Sequence, residues 1–284
     1  MIDTQTIFVG GLGFTVDAAG PVDGVPVLLL HGFPETRRMW RHQLNALAAA
    51  GYRAIAPDQR GYSRAARPKE ENAYATDLLI GDALGLMDVL AHGRFHLVGH
   101  DWGGQLSWLI AAAHAEQLLS LAVLSRPHPA AFARAMQADP EQPARSRHHR
   151  AFREADAVAR MRQARLEPLR DALLGQGVPE SHTETYIGQL MEDGAIEGAM
   201  NWYRASGIAL AETPSVAIPT LYVWGTDDAT VGRRAAEMTH EYVNGRFEFV
   251  EIEGAGHFVV DQMPERVSAL LIEHLESVGS LPRA

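Results

Sequence analysis

One stretch constrains this chain more than any other: Phe95-His96-Leu97-Val98-Gly99-His100-Asp101-Trp102-Gly103-Gly104. A short apolar run leads into Gly-x-Asp-x-Gly, and an apolar helical pattern follows from about Gln105 to Ala115. A strand that turns at once into a helix leaves a tight, strained corner, so the residues flanking it must be small, as Gly99 and Gly103 are. The layout is that of a nucleophile elbow with aspartate in place of the more familiar serine. The N-terminus of the following helix favours an ionised carboxylate there. An Asp cap on an ordinary strand-to-helix turn has the same local pattern, so the rest of the chain must decide.

The surroundings support an α/β organisation. Residues 7–9 and 14–16, joined by Gly10-Gly11, read as a hairpin. Pro26-Val27-Leu28-Leu29-Leu30 is apolar without a break, as a strand buried on both faces should be. Residues 52–57, 119–124, 218–224 and 247–252 predict further strands, with helices over 76–90, 233–242 and 264–276. Strands alternating with helical patterns mean a parallel sheet with crossovers. From 126 to about 213 the strand signal stops, and Arg, Ala, Gln and Glu dominate at helical spacing, broken by Pro140, Pro143, Pro168, Gly175 and Pro179. A single crossover is not that long, so an inserted unit of four to six helices is expected. The division is then 1–126 for the first part of the core, 127–213 for a helical cap and 214–284 for the rest of the core.

Composition removes several classes of function. A formal net charge of −10 argues against nucleic acid or an anionic membrane surface as partner. The absence of cysteine excludes a disulfide, a thiolate nucleophile and a zinc–thiolate site. No run of 18 apolar residues and no basic-then-apolar leader is present, which predicts a cytoplasmic protein outside the membrane. Gly10-Gly11-Leu12-Gly13 lies in a hairpin, the wrong context for a dinucleotide. No metal or cofactor is expected. Oligomeric state is left open, a homodimer included.

A nucleophilic carboxylate needs backbone donors for an oxyanion, a base for water and an orienter for that base. Each has a candidate placed just after a strand. His31-Gly32-Phe33-Pro34 follows the first buried strand. Gly225-Thr226-Asp227-Asp228 follows another, where Asp228 is preferred to Asp227, although either could simply cap the next helix. Gly254-Ala255-Gly256-His257-Phe258 follows the last. The order nucleophile, acid, histidine is that of α/β-hydrolases.

Taken together, His31 to Pro34, Arg60-Gly61-Tyr62-Ser63, residues 99–104, Asn201-Trp202-Tyr203-Arg204, Trp224 to Asp228 and Gly256-His257-Phe258 resemble the α/β-hydrolase superfamily. Within it they resemble the Asp-nucleophile group of epoxide hydrolases and haloalkane dehalogenases. The resemblance implies an α/β-hydrolase fold: a mostly parallel central sheet flanked by helices, with an inserted all-helical cap. It implies Asp101 as nucleophile, Asp228 as orienting acid, His257 as base, and the backbone N–H groups of Phe33 and Trp102 as the oxyanion hole.

Aspartate suits displacement at an sp³ carbon. Serine attacking such a carbon would leave an ether that water does not readily cleave, whereas a carboxylate leaves an ester whose carbonyl water can attack. An epoxide or a carbon–halogen bond therefore fits better than an ester or amide. An opening epoxide needs an acid for its alkoxide, and the resemblance assigns Tyr203 to that role. The usual second cap tyrosine is missing, since no Tyr lies between Tyr74 and Tyr186. His148 or His149 could donate in its place. His148, His149, Trp202 and Tyr186 are the residues expected to contact substrate. The expected activity is hydrolysis of a small-molecule epoxide to a vicinal diol. A haloalkane or haloacid dehalogenase using the same Asp101 is the alternative, and a non-catalytic ligand-binding protein of this fold a remote one.

Overall fold

The computed structural model describes residues 1–91, 93–205 and 210–279. The chain opens with an antiparallel hairpin of β1 (Asp3–Val9) and β2 (Leu12–Ala19), Val9 facing Leu12 across Gly10-Gly11. Both strands run past the expected 7–9 and 14–16. Every second residue of β1 is exposed, which hides an edge strand from a search for apolar runs. Then come β3 (Pro26–Leu30), α1 (Arg41–Ala49), β4 (Arg53–Pro57), α2 (Thr76–Leu90), β5 (Phe95–His100), α3 (Asp101–Ala113) and β6 (Leu118–Leu124). Helix α3 starts at Asp101, not near Gln105, because the corner is completed within a single residue.

Between β6 and β7 the described residues form seven α-helices, more than the four to six expected. They are α4 (Pro129–Ala138), α5 (Gln142–Arg145), α6 (Arg147–Arg153), α7 (Ala157–Gln163), α8 (Glu167–Gly175), α9 (Glu180–Leu190) and α10 (Ala195–Ala205). The miscount has a local cause. Helices of one or two turns are too short to show a period, and Pro143 and Pro168 lie in the first turns of α5 and α8, starting helices instead of breaking them. The chain ends with β7 (Thr220–Gly225), α11 (Arg233–Met238), β8 (Phe247–Ile252), α12 (Val259–Gln262) and α13 (Pro264–Val278). The helix expected over 233–242 stops at Met238, and a 3-10 turn continues over Thr239–Tyr242.

The eight strands form one sheet in the order β1-β2-β4-β3-β5-β6-β7-β8. The pairs β1–β2 and β2–β4 are antiparallel; all others are parallel. Every residue of β5, β6 and β7 is buried, so the sheet centre is Leu, Val and Ala from several strands. Burying one such Leu or Val is worth about 1.5–3 kcal/mol. Helix α1 packs on α13, and α2 on α3. The order also sets the site. From β3 the chain steps outward to β4 and then returns to the other side of β3 to form β5. Connections leaving β3 and β5 thus diverge, and a crevice opens at the C-terminal ends of those two strands.

Candidate active site

Asp101 stands on that crevice, immediately after β5. Its φ of 49° is left-handed backbone that a non-glycine residue adopts at a cost of about 1–3 kcal/mol. Two glycines make the position possible. A Cβ on Gly103 would lie 2.2 Å from the Leu30 carbonyl oxygen, and one on Gly32 2.4 Å from Cβ of Asp101. The loop after β3 therefore passes directly over the nucleophile position. There the Phe33 N–H donates to Oδ1 of Asp101 at 3.0 Å. Trp102 follows in the first turn of α3, where backbone N–H groups have no partner within the helix.

The loop after β8 brings His257 to the other carboxylate oxygen, with Nε2 3.5 Å from Oδ2 of Asp101. His257 Nδ1 lies 2.9 Å from Oδ2 of Asp228. A carboxylate only accepts, so the Nδ1 proton points at Asp228 and Nε2 faces Asp101. Asp228 is buried and Asp227 exposed, which separates the two candidates. Oδ1 of Asp228 accepts from the N–H groups of Thr230 (2.7 Å) and Val231 (2.9 Å). One oxygen of Asp228 thus stabilises the turn and the other holds the histidine, so the capping and orienting readings are both met.

Electrostatics follow from this geometry. Burial opposes ionisation of Asp101, but the hydrogen bond and charge of His257, with His100 and the Phe33 N–H, hold it far below the ordinary carboxylate range. Burial likewise disfavours the imidazolium of His257, yet Asp228 and Asp101 outweigh it and raise the group to about 10. The resting site is a carboxylate–imidazolium–carboxylate array.

A cavity of about 530 Å³ opens onto Asp101 and His257. Tyr203, on α10, lines the same cavity, its ring edge-on to Trp102 with centroids 4.9 Å apart. Burial first, then the Asp101 charge, keep the phenol protonated well above its ordinary range.

The remaining candidates divide. His148 lines the cavity, and burial holds it toward the neutral form despite Asp101. Three residues expected to contact substrate stand outside the cavity wall. His149 is not in the cavity wall; its ring packs between Trp102, Phe132 and Tyr203. Trp202 turns away and donates its indole N–H to the Arg60 carbonyl at 2.8 Å, tying α10 to the loop after β4. Tyr186 is fully buried and donates to Asp261 at 3.0 Å.

Three features were not anticipated from sequence. Thr230 Oγ1 is 2.7 Å from both Asp228 Oδ1 and His257 Nδ1; its hydroxyl donates to the acid, and its oxygen shares the one Nδ1 proton with Asp228 Oδ2. Its place two residues after Asp228 was the available signal. His100 joins Glu35 (Nδ1 to Oε2, 2.7 Å) to the His257 carbonyl (Nε2 to O, 2.8 Å), bracing the base from behind. Arg126 is buried after β6 with its guanidinium 4.3 Å from the Phe132 ring centroid and a donor on Gln105.

Comparison with known proteins places the chain in a family. Residues 25–264 match the family described as alpha/beta hydrolase fold. AB hydrolase superfamily protein YfhM of Bacillus subtilis is 33% identical, across 97% of this chain and 99% of its own. Epoxide hydrolase A of Mycobacterium tuberculosis is 32% identical, across 97% and 96%. A solved structure from a study of epoxide hydrolases in metagenomes from hot environments has a TM-score of 0.87 at 30% identity, covering 97% of this chain and 99% of its own. The chain belongs to the α/β-hydrolase fold family, and epoxide hydrolases are among its full-length relatives.

Proposed function

We propose that this protein is an epoxide hydrolase that converts a small-molecule epoxide to a vicinal diol through a covalent ester on Asp101. One observation carries the reading: a single cavity is lined by Asp101, His257 and Tyr203 together. A carboxylate, a base and a protonated phenol are what ring opening followed by ester hydrolysis requires. The helices α4 to α10 serve as the cap, supplying Tyr203 and His148 to the cavity wall.

Because Phe33 engages Oδ1, Oδ2 is the attacking oxygen. It bonds to a ring carbon, the C–O bond breaks with its electron pair on oxygen, and Tyr203 donates its proton to that oxygen. The ester consumes the Asp101 charge, and with it part of what keeps His257 protonated. His257 then releases its proton, restoring Tyr203, and becomes a base. It takes a proton from water, whose oxygen adds to the ester carbonyl carbon. The charge moves to Oδ1, where the Phe33 and Trp102 N–H groups stabilise it. Collapse breaks the bond from the carbonyl carbon to Oδ2. The diol leaves with Oδ2 after its alkoxide takes the proton of the new acid, and carboxylate and imidazolium are restored.

A dehalogenase would need side-chain N–H donors facing the halide, but the Trp102 indole is not among the residues lining the cavity, where Tyr203 stands instead. The test is a panel of epoxides and haloalkanes assayed for diol and halide. Diol from epoxides, lost in Asp101→Asn, is expected; halide release without diol would overturn the reading.

A further inference from the structure

The cavity that holds Asp101 is apolar over much of its wall, with Phe33, Phe152, Leu169 and Phe258, yet two arginines, Arg145 and Arg147, also line it. They belong to segment 142–153, which carries four arginines and two histidines and no carboxylate, in a chain of formal net charge −10. Several other arginines of the helical run have carboxylates beside them: Arg160 has Glu154 at 2.7 Å, Arg162 has Glu197 at 2.7 Å and Arg170 has Glu184 at 2.6 Å. Among the described residues Arg147 has no such partner within 4.0 Å. Arg145 is held at the wall by the Asp228 carbonyl (2.9 Å) and by Glu141 (3.2 Å). Asp101 is the one carboxylate among the lining residues, and His257 already offsets it.

We propose that the epoxide taken by this site carries a carboxylate, received at the cavity mouth by Arg147 with Arg145 beside it; this rests on the epoxide hydrolase reading above. The planar guanidinium matches a carboxylate with two parallel hydrogen bonds. A cation without a carboxylate partner at the edge of a largely apolar wall draws an anion in and orients it, so the epoxide end reaches Asp101. Arg147 is exposed and has no structural bond to lose, which separates binding from folding in a variant.

The experiment compares 4-(oxiran-2-yl)benzoate, its methyl ester and styrene oxide on the full chain. The kcat/KM ratio of carboxylate to ester should favour the carboxylate by roughly five- to tenfold, the size of one partly exposed charge pair. It should shrink as ionic strength rises. Arg147→Gln should bring the ratio toward one, Arg147→Glu should invert it, and Arg147→Lys should keep part of it. A wild-type ratio of one or below, or a ratio unmoved in both Arg147→Gln and Arg147→Glu, overturns the proposal while styrene oxide turnover leaves the hydrolase reading intact. Failure to open any of the three epoxides overturns both.

Discussion

The backbone N–H of Phe33 donates to Oδ1 of Asp101 across 3.0 Å, so the two carboxylate oxygens are already distinguished before a substrate arrives. One faces an oxyanion donor and the other faces His257 at 3.5 Å. The loop after β3 and the helix after β5 meet here because those strands are neighbours in the sheet.

This asymmetry predicts the fate of oxygen. In a single turnover in heavy-oxygen water, the oxygen added to the diol should be unlabelled and Asp101 should carry the label. Asp101→Ala should abolish turnover. Solvent oxygen in the diol of the first turnover would mean direct attack by water.

His257 separates the two steps. His257→Gln should still alkylate Asp101 and then stall, leaving an adduct visible in the intact-protein mass. In the wild type, adduct hydrolysis should rise with pH toward a pKa below about 10, since the ester has removed the Asp101 charge that helps raise His257. Alkylation should hold its rate well into acid, because Asp101 stays ionised below the ordinary carboxylate range. A stalled variant without adduct, in the presence of bound substrate, would contradict this.

Tyr203→Phe removes one hydroxyl from a ring packed by Trp102, Phe33 and Phe152. The fold should survive, and alkylation by an epoxide should slow by about 10²–10⁴, the usual worth of general acid help. If His148 is a second donor, His148→Ala should slow the same step and spare ester hydrolysis. Unchanged alkylation in Tyr203→Phe, read by stopped flow, would remove Tyr203 from this role.

Three buried histidines outside the site predict acid sensitivity. Burial, the main cause in each, lowers His96 to about 3, and His128 and His274 to about 4. Below about 6.5 the unfolded chain binds protons that the folded chain does not, so stability falls with pH, each histidine contributing about 1.4 kcal/mol per pH unit until its folded pKa. His257 has the opposite sign: its raised pKa adds stability that is complete below about 6.5 and is lost as pH rises through about 10. Urea midpoints measured from pH 4.5 to 10.5 should peak near neutrality. A flat profile between pH 7 and 5 would show that these histidines titrate normally.

What the sequence determined by itself lies at strand ends. Asp101 and Asp228 each follow a buried apolar run and His257 follows the partly buried edge strand β8; in a parallel sheet all such ends emerge on one side, so local patterns were enough to bring the three together. The elbow was legible for a similar reason: a left-handed residue pressed against a neighbouring loop demands glycines nearby. What only the tertiary structure decided concerns which face of a helix meets what. Tyr186 and Trp202 sit on helices recognisable in sequence, but whether each turns to the cavity or the core depends on partners far along the chain, Asp261 for one and Arg60 for the other. The same holds for Thr230, whose hydroxyl matters only because the loop after β8 delivers His257 Nδ1 to within 2.7 Å of it. Periodicity records that a helix has an apolar face; long-range packing chooses what that face covers.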